Sequence, residues 1–280
     1  MKLDLVDVFG SDAMRGNPLG VVHGGENLSD EQMLRLTQWL GFSETTFLLP
    51  STDPKADYRV RIFYPVGELP FAGHPTLGSC HAWLHAGGVP SQKGVIVQEC
   101  GVGLVEISQD EGRLAFKAPA LIKSGPLTEE ELTQAIKLTG VDPAVVEEAV
   151  HVQNGPGWQL LRLRSADDVL TAEPLAKAPA GSDIGLAGPI GAGEAHWELR
   201  AFFADEYGKF REDPVTGSFN AGVAVHLFET GLVSGSYKAA QGRKIGADGI
   251  IHCSQDRDGA VWIGGHSHLI SQGGELPVFS

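Results

Sequence analysis

Glu44 is the residue of this chain whose sequence neighbours best suit proton transfer at carbon. It lies between Phe42 and Phe47 and beside two hydroxyl side chains, so one face of its carboxyl group can be apolar. Taking a proton from carbon needs a base with a pKa near neutrality, held against the carbon and kept away from water. Apolar surroundings raise the pKa of a carboxylic acid and so meet this need. The segment therefore predicts a general acid/base that can return the proton at a second carbon.

Taken alone, an acid at the start of a strand is more simply interpreted as an exposed surface residue, because acidic side chains are rarely buried. The choice between the two interpretations depends on the elements that position Glu44. Those elements belong to an internal repeat, and this repeat determines the architecture of the chain.

Two segments share one pattern of glutamate, proline and glycine. Residues 68–78 read ELPFAGHPTLG and residues 212–222 read EDPVTGSFNAG, so each matched residue recurs 144 positions later (Glu212 against Glu68). Each segment continues as an apolar stretch with helical spacing that ends at a glycine, a typical C-terminal stop. Each therefore predicts a glycine turn followed by a helix that is apolar on most sides and lies inside its sheet.

Signals outside these segments support a duplication. The triplets Arg61-Ile-Phe63 and Arg200-Ala-Phe202 each lie in an alternating, strand-like run. Capping boxes at 29–32 and 128–131 predict a capped helix early in each half.

The repeat predicts an α+β protein with two pseudo-symmetric domains, each a mostly antiparallel sheet wrapped around a central helix. The domains are expected at residues 1–118 and 119–280, with a last strand that can return to the first half. The stretch 176–193, rich in Ala, Gly and Pro, is expected to form loops around a short strand.

Both predicted central helices begin at a glycine turn, Gly73 in the first and Gly217 in the second. A helix N-terminus presents unpaired backbone N–H groups and the positive end of the helix dipole. If two such ends face one cleft, they can bind an anionic group such as a carboxylate without a basic side chain. The alternative is that the glycines only permit tight turns and close packing.

Four motifs resemble those of the PhzF-like family of phenazine-biosynthesis proteins. They are GNPL (16–19), SETTF (43–47), ELPFAGHPT (68–76) and DPVTGS (213–218), in the family's order; with the Gln241-Gly242 stretch and the glycine-rich C-terminus they cover nearly the whole chain. The resemblance implies a diaminopimelate-epimerase-like fold, an active-site cleft between the halves, and a homodimer. It also implies isomerisation without metal or organic cofactor, in which a glutamate moves a proton on carbon.

Carried onto this chain, the resemblance implies catalytic roles for Glu44, His74 and Asp213. Glu44 is the expected proton shuttle, and the other two are expected to hold or polarise the functional groups of the substrate. Substrate-binding roles are implied at the two helix N-termini and at the GNPL motif, for Asn17, Gly73, Gly217 and Ser218.

Cysteine and metal chemistry are both disfavoured. In related epimerases and racemases of this fold two cysteines at the glycine turns act as paired acid and base, whereas this chain has His74 at the first turn and Ser218 or its neighbour at the second. His81 and His85 are four residues apart and could formally share a metal ion, and His266-Ser-His268 is a second such group. No third ligand of suitable spacing accompanies them, so no metal site is expected.

Two further segments leave the substrate open. The family's C-terminal motif usually has an arginine directly after a glycine, whereas Gly246 is followed by Ala247, and it is open whether Arg243 substitutes. If that arginine binds substrate in relatives, the substrate here is expected to differ. The NGPGW loop at 154–158 resembles a substrate-pocket loop of some family members and is equally well explained as a plain turn.

Composition restricts the partners. The chain has 280 residues, 35 acidic against 21 basic, and a formal net charge of −14, which argues against nucleic acid or an anionic membrane surface. Three separated cysteines, the absence of an apolar span and an N-terminus unlike a signal peptide predict a cytoplasmic protein. The expected partner is a small substrate that carries a carboxylate.

Two functions remain open at this point. The first is an isomerase that acts on a small anionic metabolite through Glu44. The second is a catalytically silent ligand-binding or protein-interaction member of the same fold. Glu44, His74 and Asp213 together favour the enzyme, because a scaffold has no need of all three.

Overall fold

The computed structural model describes residues 1–110 and 112–277. The chain forms two compact units, the first from residues 1–117 and 264 onwards, the second from Ala118–Ile263. The sequence had assigned residues 119–280 to the second half and left the last strand open. In the structure the chain returns to the first unit at Gly264.

In its described residues up to Lys117, the first unit contains two helices and eight strands. They are β1 (Lys2–Val8), β2 (Asn17–His23), α1 (Asp30–Leu40), β3 (Thr45–Leu49), β4 (Tyr58–Tyr64), β5 (Gly67–Leu69), α2 (Gly73–His85), β6 (Val95–Cys100), β7 (Gly103–Asp110) and β8 (Arg113–Lys117).

The second unit contains three helices, and the chain then returns through a final strand. The elements are β9 (Lys123–Pro126), α3 (Glu129–Thr139), β10 (Val146–Gln153), β11 (Gln159–Leu163), α4 (Ala166–Thr171), β12 (Asp183–Pro189), β13 (Trp197–Ala204), β14 (Phe210–Asp213), α5 (Gly217–Glu229), β15 (Ser236–Gln241), β16 (Gly249–Gln255), β17 (Val261–Gly265) and β18 (Ser267–Glu275). Short 3₁₀ turns lie at Pro143–Val145 and Arg243–Ile245.

Both units use the predicted architecture. In the first, antiparallel pairings join β18–β1–β2 and β3–β4–β5, while β2–β3 and β4–β6 are parallel. In the second, the two parallel pairs are β11–β12 and β13–β15, among antiparallel neighbours. The sheet of the first unit surrounds α2, and α5 packs against β10 and β16 of the second. Each unit is therefore a mostly antiparallel sheet around a nearly all-buried helix.

One ion pair recurs at the same place in both units. The guanidinium of Arg61 binds Glu68 through Nε and Nη2 at 2.8 and 2.5 Å, and that of Arg200 binds Glu212 at 3.0 and 2.7 Å. Each guanidinium also lies over the ring of the phenylalanine two residues later, at 5.0 and 4.9 Å. The duplication inferred from sequence is therefore supported by equivalent side-chain contacts in the two units.

The two capping boxes form as predicted but do not mark equivalent helices. Ser29 and Gln32 cap α1, and Thr128 and Glu131 cap α3. By element order α1 is the crossover between the parallel strands β2 and β3. Its counterpart between β11 and β12 is the six-residue α4, capped by Ser165. Helix α3 is an addition that precedes the repeat, so this part of the sequence argument was wrong.

Each central helix packs closely on its sheet through the second glycine of the repeat. A Cβ at Gly78 would lie 2.5 Å from Cδ2 of Leu19, and one at Gly222 would lie 2.3 Å from the carbonyl oxygen of Val152. A larger residue would push the helix outward, because interiors have no room for an extra methyl group. The repeated glycine is therefore required by this contact.

None of the helices within the described ranges is both long enough and apolar enough to cross a bilayer.

The two copies of this ion pair predict that the same glutamate-to-glutamine substitution lowers the free energy of unfolding by different amounts. Glu212→Gln leaves the Arg200 guanidinium, only 4% exposed, without its carboxylate, and we expect the free energy of unfolding to fall by about 3–5 kcal/mol. Glu68→Gln is the matched control; Glu68 is 40% exposed and Arg61 also binds Asp30, so the expected loss is about 1 kcal/mol or less. Urea denaturation of both variants measures the difference, and equal losses would contradict it.

Candidate active site

Glu44 and His74 meet in the first unit. Glu44 immediately precedes β3, and His74 is the second residue of α2. Oε2 of Glu44 lies 3.4 Å from Nε2 of His74, and both side chains are largely shielded from solvent. The sequence predicted both residues but gave no distance between them, since 30 positions separate them along the chain.

The imidazole of this pair is neutral. Burial lowers the pKa of His74 from 6.5 to about 3, because a cation loses its hydration inside the unit. At neutral pH the contact therefore joins a carboxyl group to an uncharged ring. Such a ring can donate or accept a hydrogen bond at Nε2, depending on its tautomer. It does so as an uncharged group, so it does not compete with the carboxylate for a proton.

Buried hydrogen bonds attach helix α2 to strand β3 and to strand β6. Ser79 donates its hydroxyl proton to Oγ1 of Thr46 at 2.8 Å, one residue into the strand that Glu44 precedes. On another face of α2, Nε2 of Gln98 donates to Oγ1 of Thr76 at 3.1 Å. Because satisfied buried polar contacts specify one arrangement, they hold the Glu44 and His74 backbones in register.

Asn17 is buried at the start of β2, after a tight turn. The carboxylate of Asp7 accepts hydrogen bonds from the backbone N–H groups of Arg15 and Gly16 at 2.9–3.0 Å. Phe9 and Met14 in this turn have φ angles of 68° and 63°, a region that non-glycine residues seldom occupy. Strain of this kind persists where the surrounding structure holds it, as here beside a predicted substrate-binding residue.

The two central helices begin without a side-chain cap. The N-cap residues are Ala72 for α2 and Thr216 for α5, and neither side chain bonds the first turn. Helices α1, α3 and α4 are all capped by a serine or threonine hydroxyl. The first turns of α2 and α5, which contain Gly73 and Gly217, therefore keep N–H groups available for an anion.

In the second unit Asp213 belongs to a network at the start of α5. Its Oδ2 accepts the hydroxyl proton of Thr216 at 2.5 Å. Gln241 completes the network: its Oε1 accepts from Thr216 N at 3.1 Å and from Asn220 Nδ2 at 2.7 Å, and its Nε2 donates to the Asp213 carbonyl. Thr216 thus directs its hydroxyl back towards Asp213, which explains why it does not cap the helix.

Ser218 is held by the loop at 154–158. The indole Nε1 of Trp158 donates to Oγ of Ser218 at 2.9 Å, and Nδ2 of Asn154 donates to its carbonyl oxygen at 2.9 Å. The loop was left open between a pocket element and a plain turn; it contacts a predicted site residue directly. Sequence analysis did not identify the orienting roles of Trp158 and Gln241, because a buried indole or amide has no sequence signature for its partner.

The cysteines are unsuited to acid/base work. Burial raises the pKa of Cys80 and of Cys253 to about 12, and also raises that of Cys100. These thiols are protonated at neutral pH, whereas a reactive cysteine needs a lowered pKa. The finding agrees with the expectation against a cysteine-type mechanism.

Two histidines of the pairs considered above for a metal ion contact backbone carbonyl groups instead. Nδ1 of His85 lies 2.9 Å from the carbonyl oxygen of His81, and Nε2 of His268 lies 3.1 Å from that of Gly10. Across residues 1–110 and 112–277 no three His, Cys, Asp or Glu side chains converge in an arrangement suited to a metal ion.

Arg243 has a partner inside its unit. Its Nε lies 3.3 Å from Oε2 of Glu198, which is completely buried on β13. Burial raises the pKa of Glu198 to about 7, and the nearby guanidinium opposes the increase. Arg243, three residues before Gly246, therefore pairs with the buried Glu198.

These features define a class. Two repeated α+β units, each around a central helix with an uncapped N-terminus, together with an acid–imidazole pair at one of these ends, describe a protein with a diaminopimelate-epimerase-like fold. The chain belongs to the phenazine biosynthesis-like protein family (PhzC-PhzF), whose profile matches residues 6–273.

Individual relatives agree with this assignment. The trans-2,3-dihydro-3-hydroxyanthranilate isomerase of Pseudomonas aeruginosa is 33% identical over 231 residues, 80% of this chain and 78% of that protein. Antisense-enhancing sequence 1 of Schizosaccharomyces pombe is 32% identical over 286 residues, 96% of each chain. The PhzF-family phenazine biosynthesis protein of Bacillus anthracis superposes with a TM-score of 0.81, 21% identity and 97% coverage of both chains, which shows the common fold. Relatives named as isomerases support that activity for this chain.

The lowered pKa of His74 predicts how stability changes with pH. Below the unfolded pKa of 6.5 the unfolded state binds a proton that the folded state excludes until about pH 3, so stability falls as the pH is lowered. Between about pH 7 and about pH 5 we expect His74 to account for a loss of about 2 kcal/mol. Urea denaturation of wild type and His74→Asn at both pH values isolates this contribution. Equal pH dependence in the two proteins would contradict it.

Proposed function

We propose that this protein isomerises a small carboxylate-bearing metabolite by moving one proton from a carbon to another carbon, with Glu44 as the proton carrier. The observation that carries the proposal is the shielded contact, 3.4 Å long, between the Glu44 carboxyl and the His74 imidazole. The ring in that contact is uncharged at neutral pH, so it can hydrogen-bond to the carboxyl group without competing for the transferred proton.

The proposed reaction is balanced by protein groups alone. The Glu44 carboxylate takes a proton from a C–H group, and the electron pair of that bond moves into the adjacent π system. The double bond shifts, and the protonated Glu44, whose carboxyl proton exchanges with solvent between the two steps, delivers a proton to the carbon at the far end of that system. Nothing is oxidised or reduced and no group leaves, so the steps proposed need no cofactor.

His74 and Asp213 are proposed to hold the functional groups of the substrate. The neutral His74 ring can hydrogen-bond to the substrate while Glu44 carries the proton. Asp213 is already engaged by the Thr216 hydroxyl, which orients its carboxylate. Both residues are therefore proposed for positioning charge and polar groups, and Glu44 for the transfer itself.

Each uncapped first turn, that of α2 in the first unit and that of α5 in the second, is proposed as a place where an anionic group of a substrate can bind. The first turns contain Gly73 in α2, and Gly217 and Ser218 in α5. Backbone N–H groups at the positive end of a helix dipole bind anions without a basic side chain. Asn17, held by the Asp7-supported turn, is proposed to add a side-chain hydrogen bond.

The substrate class is proposed from the Pseudomonas aeruginosa relative, which is named for the isomerisation of trans-2,3-dihydro-3-hydroxyanthranilate. That compound combines a carboxylate with a ring that can shift a double bond, so it is the first substrate to try. We further propose, from the family resemblance, that the protein acts as a homodimer in the cytoplasm; the unpaired cysteines fit a reducing compartment.

The test is isotope exchange in D₂O with trans-2,3-dihydro-3-hydroxyanthranilate, followed by proton NMR. We expect wild type to isomerise the compound and to incorporate deuterium at carbon. Glu44→Gln keeps the shape of the side chain but removes its basicity, and we expect its rate to fall by about 10²- to 10⁴-fold.

Glu106→Gln is the matched control, because Glu106 is an exposed acid on β7 of the same unit. We expect its rate to stay within about twofold of wild type, as for most surface substitutions. Retained exchange in a folded Glu44→Gln protein would overturn the role of Glu44. An inert wild type would overturn trans-2,3-dihydro-3-hydroxyanthranilate as its substrate.

A further inference from the structure

Asp183 occupies in the second unit the place that Glu44 occupies in the first. The repeated arginines give the register: Arg61 pairs with Phe47 across β3 and β4, and Arg200 pairs with Leu186 across β12 and β13. Three residues before Phe47 is Glu44, and three residues before Leu186 is Asp183. The two acids are therefore 139 positions apart, as the two arginines are. Each lies at the start of its strand, Glu44 directly before β3 and Asp183 as the first residue of β12.

The surroundings of the two acids correspond as well. The turn between β1 and β2, which leads to Asn17, corresponds in element order to the loop at 154–158 between β10 and β11. His74, the second residue of α2, corresponds to Ser218, the second residue of α5. The second unit therefore has its own group of acid, loop and helix N-terminus.

Hydrogen bonds connect the members of this group in series. Oδ2 of Asp183 accepts from the backbone N–H of Gly157 at 3.1 Å. The next residue, Trp158, donates its indole N–H to Oγ of Ser218, and its ring packs against Phe219 with centroids 5.2 Å apart. The acid thus reaches the first turn of α5 through two adjacent residues of the loop.

We propose that Asp183 is a positioning residue of the isomerase, which holds the loop at 154–158 so that Trp158 orients the hydroxyl of Ser218 for substrate binding. This inference rests on the proposed function, in which Ser218 contacts the substrate. Glu44 and Asp183 then have divided roles: the first carries the proton, and the second orients a binding group in the other unit.

Stability alone does not explain an acid at this place. Burial raises the pKa of Asp183 from 3.8 to about 6, and the Gly157 N–H opposes the increase. Since the folded pKa is raised, this group makes the protein less stable as the pH rises from about 4 to about 6. A carboxylate kept ionised at neutral pH against this cost indicates a role in function.

The charged groups on the elements around Asp183 are engaged with one another. Within the described residues they form these contacts: His226 of α5 with Glu148, Arg162 of β11 with Glu147 and Glu148, Arg200 of β13 with Glu212, and Asp205 after β13 with Arg211. The titration of Asp183 is therefore governed by its burial and by the loop, so the loop and the carboxyl group should respond to pH together.

The first experiment needs no substrate. In ¹H–¹⁵N NMR spectra of wild type, we expect the Gly157 amide and the Trp158 indole N–H to titrate with a common midpoint near the Asp183 pKa of about 6. At low pH the indole resonance should move towards its position in Ser218→Ala, because the protonated acid is a weaker acceptor and releases the loop. Asp183→Asn should abolish this titration, and Asp167→Asn, an exposed acid on α4, should leave it unchanged.

Two results of that experiment would overturn the proposal. One is a pair of resonances that do not titrate in wild type. The other is a titration that persists unchanged in Asp183→Asn. Neither depends on whether the reaction proposed above is right, so failure of the isomerase assignment and failure of the Asp183 assignment are distinguishable.

The second experiment separates binding from chemistry. We expect Asp183→Ala to raise KM about tenfold, the equivalent of about one lost hydrogen bond, with kcat changed much less. Adding Asp183→Ala to Ser218→Ala should raise KM no further, because the acid acts through that hydroxyl. Trp158→Phe keeps the ring against Phe219 but lacks the donor, and should reproduce the effect. Additive effects, or a loss confined to kcat, would reject the positioning role.

Stability provides the control against a merely structural role. At neutral pH Asp183→Asn should unfold at the same urea concentration as wild type or at a higher one, since it removes a charge that burial disfavours. In wild type KM should rise as the pH falls through about 6, and in Asp183→Asn it should be constant across that range. A destabilised Asp183→Asn with an unchanged pH profile would show that Asp183 only supports the fold.

Discussion

The close contact between each central helix and its sheet is the constraint on which the other features of the site depend. A helix that approaches a strand through glycine leaves no room for a Cβ at that contact, so the packing restricts where the helix and its first turn can lie. The first turn is where His74 stands in one unit and Ser218 in the other. Packing far from the reactive atoms therefore determines where those atoms lie.

A second consequence is that the polar ends of these helices remain unused by the fold. Every other α-helix in the described residues is capped by a serine or threonine hydroxyl, whereas α2 and α5 have no side-chain cap. The Thr216 hydroxyl, which has the right chemistry for a cap, is bonded to Asp213 instead. Leaving N–H groups unpaired is unfavourable for stability, and the arrangement suits an anionic ligand.

The duplicated frame has been kept while its chemistry has diverged. Both units retain the arginine–glutamate pair and the phenylalanine beneath the guanidinium, which hold equivalent strands in register. At the helix ends the side chains differ: Glu44 faces an imidazole in one unit, and Asp183 binds a loop in the other. Burial moves the pKa of His74 down and that of Asp183 up, because loss of hydration disfavours the charged form in each case.

Local and repeated patterns of the sequence predicted the α+β class and the duplication, and motifs that resemble a known family predicted that family and the candidate site residues Glu44, His74, Asp213 and Ser218. These properties depend on residue type and spacing, which a chain displays without folding. The match between the two capping boxes failed because a capping signal reports a helix start and carries no information about topology. Only the tertiary structure decided that Glu44 contacts His74, that Gln241 and Trp158 orient the start of α5, and that Asp183 is the counterpart of Glu44. Those relations join residues far apart in the chain, and they depend on strand register and burial, which no local pattern records.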